Sequence, residues 1–215
     1  MSAPSLQNTT SPGLLGSVHG RLIFDRRTKV LSSHLKSLIP FQSRVLDVGC
    51  GDGTIDALIQ QQRPDLVIEG IDILVRPKTH IPVRHFDGQV IPYPNQSFDV
   101  VIFVDVLHHT EEPLVLLKEA HRVGKQVLIK DHFREGAFAY STLRLMDFVG
   151  NAHHGVVLPY NYWHESEWRS AFEKVGLFPS EIKRNLSLYP APLSWVFGRK
   201  LHFIARCDST REAHP

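Results

Sequence analysis

Arg44-Val45-Leu46-Asp47-Val48-Gly49-Cys50-Gly51-Asp52-Gly53 is the stretch that decides the fold of this chain. Its first half is an apolar run with two valines, which is typical of a strand buried on both faces. Glycine then recurs at alternate positions, and glycine permits a tight turn and a close approach of a ligand to the backbone. From Thr54 the apolar residues Ile55, Leu58 and Ile59 follow at helical spacing. The stretch therefore predicts a strand, a glycine turn and a helix whose free N–H groups face a nucleotide.

The glycine spacing indicates which nucleotide. A dinucleotide-binding turn follows G-x-G-x-x-G, whereas this chain has G-x-G-x-G, with Asp47 two residues before Gly49. The carboxylate of Asp47 would repel a pyrophosphate, but it suits an amino group or a sulfonium. Asp47, Gly49, Gly51 and Gly53 match the motif D/E-x-G-x-G-x-G in full, and in this the chain resembles the class I S-adenosylmethionine (SAM)-dependent methyltransferases. The resemblance implies SAM as cofactor, S-adenosylhomocysteine as product, and Cys50 among the cofactor-binding residues.

Length and composition fit a single α/β domain. The chain has 215 residues, of which 42% are hydrophobic and 21% charged, as in ordinary globular proteins. Residues 1–13 are rich in Ser, Thr, Pro and Asn and are predicted to be a disordered tail. The methyltransferase domain is then expected to cover residues 14–215, with an N-terminal helix over 14–40 and an insert over 133–162 that helps to form the acceptor pocket.

Charge and cysteine content exclude several classes of protein. The net charge is only +2 and no run of like charges occurs, so nothing favours nucleic acid or an anionic membrane as partner. Cys50 and Cys207 lie far apart, which argues against a disulfide framework and fits a reducing compartment. Neither a signal peptide nor an apolar run of ~18 residues is present. We therefore expect a cytoplasmic protein without a transmembrane segment.

The order of predicted elements is that of a Rossmann-like methyltransferase sheet, mostly parallel with an antiparallel last strand, with helices on both faces. Buried-strand patterns cover Arg44–Val48, Leu66–Asp72, Ile81–Phe86, Val100–Val104, Gln126–Lys130, Phe178–Arg184 and Leu201–Cys207. Helical patterns follow from Thr54, over Glu112–Arg122, through Phe138–Phe148, and from a cap at Ser166 to Gly176. The apolar segment Leu186–Trp195 is predicted to be a loop that covers a lipophilic acceptor or a partner subunit.

Acidic side chains follow the predicted parallel strands at their carboxyl ends. These ends meet at one edge of an open α/β sheet, where ligands bind. One rim is therefore expected to carry Asp47, Asp72, Asp87, Asp105 and the pair Asp131-His132. Asp72 lies 23 residues after Gly49, near the offset of ~20 residues at which such a unit presents an acid to ribose hydroxyls.

Further motifs extend the resemblance from about Arg44 to Lys130. The stretch Ile91–Val101 and the triplet Leu107-His108-His109 resemble the ubiquinone/menaquinone-biosynthesis-type (methyltransferase type 11) subgroup. The resemblance implies that Ile73 packs on the adenine and that Asp87, with Gly88 beside it, accepts from the adenine amino group. It also counts Asp105 among the cofactor-binding residues. In the family an N-terminal helix often folds over the cofactor, which would bring His19, Arg21 and Arg26 to the pocket.

Histidines are the candidate catalytic groups. Methyl transfer is an in-line displacement, so the protein must orient the reactants and, for an oxygen acceptor, supply a base. His132 after the fifth strand is the first candidate base and His109 the second. In the insert, His153, His154, Tyr160 and Tyr162 are candidate substrate contacts. The alternative interpretation of the insert is a hydrophobic lid whose aromatic residues only fill the core.

Several other functions were weighed against this interpretation. Asp105 with Asp131-His132 resembles the magnesium site of catechol-type methyltransferases, but magnesium prefers oxygen to histidine, and no metal is expected. The motifs of nucleic-acid methyltransferases are missing, so a small, partly apolar acceptor is favoured. A SAM-binding partner or sensor module without catalysis stays as the alternative, and a nicotinamide oxidoreductase would need the longer glycine spacing. A homodimer is compatible with the apolar segments.

Overall fold

A seven-stranded sheet forms the centre of the protein. The computed structural model describes residues 14–151, 159–198 and 200–209; the predicted tail, residues 1–13, lies outside them. The strands are β1 Arg44–Val48, β2 Val67–Asp72, β3 Val83–His85, β4 Phe98–Val104, β5 Gly124–His132, β6 Phe178–Lys183 and β7 His202–Asp208. Their order is β3-β2-β1-β4-β5-β7-β6; the first five pair in parallel, and β7 runs antiparallel to β5 and β6. The predicted fold class is confirmed.

Helices cover both faces of the sheet. They are α1 Leu14–Lys36, α2 Thr54–Gln62, α3 Pro113–Val123, α4 Ala139–Asn151, α5 Glu165–Val175 and α6 Leu193–Phe197, with a 3₁₀ turn over Leu107–His109. Along β1, Val45 belongs to the core packed under α1 and α2, whereas Leu46 and Val48 belong to the core packed under α3 and α5. All three are fully buried, which explains why the strand is apolar without alternation.

Three local predictions were wrong. Helix α5 is capped by His164 and not by Ser166: Glu167 accepts from the His164 backbone N–H at 2.7 Å in a capping box. Helix α1 ends at Lys36, four residues earlier than predicted. The predicted loop 186–195 leads into the short helix α6, whose five residues are too few to show a helical period.

Within the described ranges, no helix is both long enough and apolar enough to cross a membrane.

Candidate active site

A large cavity opens at the carboxyl ends of the parallel strands. Its volume is about 1330 Å³. The glycine turn and the ends of β2, β4 and β5 form its floor, and residues of α1, α4 and α6 form its walls. Of the residues predicted from the sequence, the lining includes Asp47, Gly49, Cys50, Gly51, Asp72, Ile73, Asp87, Gly88, Asp105, His109 and His132. The rim on which ligands were expected therefore exists.

The glycine turn has the backbone geometry that only glycine adopts easily. Gly49, Gly51 and Gly53 have φ values of 77°, 61° and 75°. A Cβ on Gly49 would lie 2.6 Å from a methyl of Val106, whereas a Cβ on Gly51 would meet nothing within 4 Å. Gly51 therefore faces open cavity. Gly53 lies outside the lining, where it precedes the first turn of α2 and packs against Ile81.

Two further carboxylates stand beside the turn. Asp72, at the end of β2, accepts from the N–H groups of Gly51 and Leu74, both at 2.8 Å. A carboxylate has about four lone-pair sites, so Asp72 retains capacity for a ligand diol. Asp87 accepts from two consecutive N–H groups, of Gln89 and Val90, which lowers its pKa. Ile73 is 57% exposed and presents an apolar surface to the same space.

Asp47 forms a buried pair with Asp56 of α2. The two residues are only 3% and 1% exposed. Asp47 Oδ1 and both carboxyl oxygens of Asp56 have no donor among the described residues, and each carboxyl group affects the pKa of the other. Burial raises the pKa of Asp56 to about 6, and burial together with Asp56 raises the pKa of Asp47 well above its usual value. Asp47 lines the cavity, whereas Asp56 lies behind it.

Asp105, directly after β4, is neutralised by two cations. It accepts hydrogen bonds from Arg27 of α1 and from Lys130 of β5. The Lys130 side chain is fully buried and that of Arg27 is 26% exposed. Burial alone would raise the pKa of Asp105, but Lys130 and Arg27 outweigh it and hold the pKa well below its usual value. Asp105 is therefore a permanent carboxylate at the cavity wall.

The two adjacent histidines differ in environment. His108 is clamped between carboxylates: its Nδ1 lies 2.6 Å from Asp131 Oδ1 and its Nε2 lies 3.2 Å from Asp147 Oδ2. Burial lowers the pKa of His108, but Asp131 and Asp147 outweigh it and raise the pKa to about 10. For His109, burial and the neighbouring His108 lower the pKa to about 4. The imidazole that borders the cavity is thus neutral at neutral pH.

His132 and Asp131 lie together at the end of β5, but only His132 borders the cavity. Burial and then Lys130 lower the pKa of His132, so its ring is also neutral. Its carbonyl accepts from the Trp168 indole at 3.0 Å. Asp131 is fully buried against His108 and is not on the rim as predicted. The two side chains stay in contact all the same, with His132 Nδ1 3.3 Å from Asp131 Oδ1.

The predicted substrate contacts of the insert are corrected in part. Tyr160 and Tyr162 lie outside the cavity lining. The Tyr162 hydroxyl donates to Asp147, and its ring packs with Leu143 and Leu201 in a small separate core, so it supports a lining residue instead of forming the wall. His153 and His154 lie outside the described residues, as do the side chains of His19 and Arg21. Arg26 donates to the Ser187 carbonyl at 3.3 Å and is also outside the lining.

The polar groups at this end of the cavity are also spaced like the ligands of a metal ion. Donor atoms of Asp105, His108, Asp131 and His132 lie within 4.8 Å of one another, as do those of His108, His109 and Asp147. Arg27 and Lys130 already bind Asp105, so charge neutralisation at that carboxylate needs no metal ion.

Several lining residues were not predicted from the sequence. They are mainly apolar and come from segments far apart in the chain: Ile23, Phe24, Arg27, Val115, Leu145, Met146, Asp147 and Phe197. The helical spacing of Ile23, Phe24 and Arg27 in α1 was a usable signal, because these residues share one face. Tyr189 and Leu193 also line the cavity, and they belong to the segment Leu186–Trp195 that was predicted to cover an acceptor or a partner subunit.

Comparisons with known sequences agree with the geometry. A family model described as a methyltransferase domain matches residues 21–179. An uncharacterised methyltransferase of Mycobacterium tuberculosis is 36% identical over 176 residues, which cover 78% of this chain and 77% of the relative. The 27-O-demethylrifamycin SV methyltransferase of Amycolatopsis mediterranei is 27% identical over 114 residues, or 46% of this chain and 42% of that enzyme.

Solved structures share the fold at low sequence identity. A methyltransferase of Haloferax volcanii, solved in complex with the Trm112 methyltransferase activator, superposes with a TM-score of 0.66 at 14% identity, covering 93% of this chain and 96% of its own. A SAM-dependent methyltransferase of Thermotoga maritima gives a TM-score of 0.62 at 20% identity, covering 90% and 96%. At these identities the likeness concerns the fold alone.

Proposed function

The chain belongs to the SAM-dependent methyltransferases, with SAM as cofactor, and from this premise we propose that it methylates a small, partly apolar molecule. The observation that carries the proposal is the two-sided character of the cavity. One side carries the glycine turn and its carboxylates, and the other is formed by apolar side chains of α1, α4 and α6. Each side suits a different ligand.

The residues at the glycine turn fit SAM. Gly51 leaves open space where the backbone meets the cavity, and Asp47 presents a buried carboxyl there that suits a cationic ligand. We assign the ribose diol to Asp72, which keeps free lone pairs, and the adenine to Ile73, Asp87 and Gly88. When bound, SAM supplies an activated methyl group on its sulfonium. Cys50, Gly49 and Gly53 shape the turn, and Asp105 closes the site beside Arg27.

The apolar side of the cavity is assigned to the acceptor. Pockets that hold one drug-sized ligand measure about 300–1,000 Å³. The volume of about 1330 Å³ exceeds that range and supports two ligands side by side. Phe24, Leu145, Met146 and Phe197 offer the acceptor an apolar surface. The relative named for 27-O-demethylrifamycin SV is consistent with an acceptor of this chemical kind.

For an oxygen acceptor, His132 is the proposed general base and His109 the second candidate. Both rings border the cavity, and both have pKa values lowered by burial, so each carries a free lone pair at neutral pH. A histidine in reach of the acceptor hydroxyl accepts its proton as the methyl group is transferred. The remainder of the rate enhancement is expected from holding the two reactants in line.

Location and assembly remain predictions. The wide separation of the two cysteines, both of which are free thiols, supports the cytoplasm as the compartment. A homodimer is tested directly by sedimentation at several protein concentrations.

Calorimetric titration with SAM and, separately, with NADH tests the cofactor half of the proposal. Wild type is expected to bind SAM only. Asp72→Ala is expected to weaken binding by tenfold or more, since a hydrogen bond to a charged group contributes about 1.5–3 kcal/mol. Glu173→Ala, an exposed acid on α5, is the matched control and should bind as wild type. Folded wild-type protein that does not bind SAM would refute the proposal.

Acceptor screening with the same protein tests the second half. Methylated product from an apolar hydroxyl compound, lost in His132→Asn with SAM affinity retained, is the expected result. Intact SAM binding without turnover of any acceptor class would instead favour the non-catalytic binding module.

A further inference from the structure

Asp47 and Asp56 form a pair of buried carboxyl groups, and methyl transfer does not itself require such a pair. Both carboxyl groups are withdrawn from water, and only Asp47 borders the cavity. Three of their four oxygens lack a donor within the described part of the chain, and each group affects the pKa of the other. Two ionised carboxylates in contact repel, whereas one shared proton gives the pair a hydrogen bond. A proton held between the two groups in the ligand-free protein would remove this repulsion.

The surroundings of the pair strengthen the case for such a proton. The charged groups that act on the pair come from two neighbouring segments and are both acidic: Asp72 of β2 acts on Asp47, and Asp52 of the glycine turn acts on Asp56. The thiol of Cys50 is the remaining titratable neighbour, and it stays protonated because burial and these acids raise its pKa far above neutrality. A cation that completes the site must therefore come from the ligand.

We propose that Asp56 is a specificity-determining residue that stores one proton with Asp47 in the empty site and releases it to solvent when the positive charge of SAM enters. The bound state then has two carboxylates facing a cation, and no covalent bond is formed or broken in this exchange. The inference rests on SAM as the ligand of this cavity. Asp56 acts through Asp47 and needs no contact with the cofactor.

A consequence is discrimination between cofactor and product by charge. SAM carries a sulfonium, whereas the sulfur of S-adenosylhomocysteine is neutral. The expulsion of the shared proton is favoured more strongly by the ligand with the additional positive charge. Affinity for SAM relative to the product should therefore rise with pH, because the released proton is more readily lost at higher pH.

The test measures the dissociation constants of SAM and S-adenosylhomocysteine between about pH 5.5 and 7.0, below the range in which α-amino groups titrate. In wild type the preference for SAM is expected to rise at least threefold over this interval, and by at most ~30-fold, since one proton gives tenfold per pH unit. Asp56→Asn donates a permanent amide hydrogen bond to Asp47 and should abolish the dependence. Glu173→Gln removes an exposed charge on α5, outside the cavity, and its pH dependence should match wild type.

Proton counting provides a second readout that needs no variant. Calorimetric titration of wild type in buffers of different ionisation enthalpy gives the number of protons released per SAM bound. We expect a release of between about half and one proton, larger than that for the product. SAM binding without proton release, or a pH dependence that persists in Asp56→Asn, would overturn the proposal. Absence of SAM binding would refute the proposed function instead, so the two failures are distinguishable.

Discussion

Replacing Asp105 by Asn is expected to destabilise the protein strongly through Lys130. Asparagine matches the shape of aspartate and tolerates the left-handed backbone of this position, where φ is 57°. The substitution therefore removes a charge with little change in shape. Arg27 can turn toward water because it is partly exposed, but the fully buried ammonium of Lys130 then loses its counter-charge.

The size of the expected stability loss follows from the burial of the ion pair between Lys130 and Asp105. Removing one partner of a buried salt bridge costs about 3–5 kcal/mol, a large fraction of a typical unfolding free energy of about 5–15 kcal/mol. Burial already lowers the pKa of Lys130, and loss of Asp105 lowers it further. A lysine with a lowered pKa in the folded state gains stability as pH rises toward its unfolded pKa of about 10.4. The deficit of the variant should therefore shrink between about pH 7 and 10.

Urea unfolding followed by tryptophan fluorescence measures this loss, since Trp168 is buried beside β5. Adding Lys130→Met to Asp105→Asn removes the unpaired ammonium and should recover at least half of the lost stability. The control is Lys125→Met: this lysine is 62% exposed in its pair with Asp99, and its loss should cost less than about 1 kcal/mol. A loss below about 1 kcal/mol in Asp105→Asn, or no recovery in the double variant, would refute the reasoning.

Two further predictions concern buried carboxyl groups. Tyr162→Phe removes the hydroxyl that donates to Asp147 and should lower the unfolding free energy by about 1–3 kcal/mol; an unchanged urea midpoint would contradict it. The pKa of Asp56 is raised from 3.8 to about 6, so its contribution to stability is present below pH 3.8 and is lost as pH rises through 6. Asp56→Asn, which does not titrate, should therefore gain about 2 kcal/mol on wild type between about pH 4.5 and 7.5. If the urea midpoints of Asp56→Asn and wild type differ by the same amount at pH 4.5 and at pH 7.5, the pKa of Asp56 is not raised.

The parallel half of the fold was predictable because its signals are local. Each strand is a short apolar run followed by a turn, as in Arg44–Val48, and each helix shows its own period. The exact ends were not predictable, because pairing sets them. Strand β5 was predicted to end at Lys130, but it continues to His132 because β7 pairs with it from Gln126 to His132. That partner is formed by residues 70 to 82 positions later in the sequence, from His132 paired with His202 to Gln126 paired with Asp208.

The residues of the site divide in the same way into those predicted from local signals and those that only tertiary packing brings there. Asp47, Asp72 and Asp87 were predicted from motif and strand position, and all three line the cavity. Arg27 and Asp147 were missed because they reach the site only when α1 and α4 pack over the sheet. Asp56 was missed for another reason: a polar residue on a helix is normally exposed, and nothing local indicates that it faces inward. Tertiary packing decided all three cases.

The position of β7 has a consequence for synthesis of the chain on the ribosome. This strand is the last described element to be made, yet it lies inside the sheet, between β5 and β6. While residues 202–208 are still within the ribosome, β5 presents an open edge of unpaired N–H and C=O groups and β6 has no strand to pair with. Open edges of this kind pair with other chains and promote aggregation. The emerging protein is therefore expected to depend on chaperones until its final strand is released.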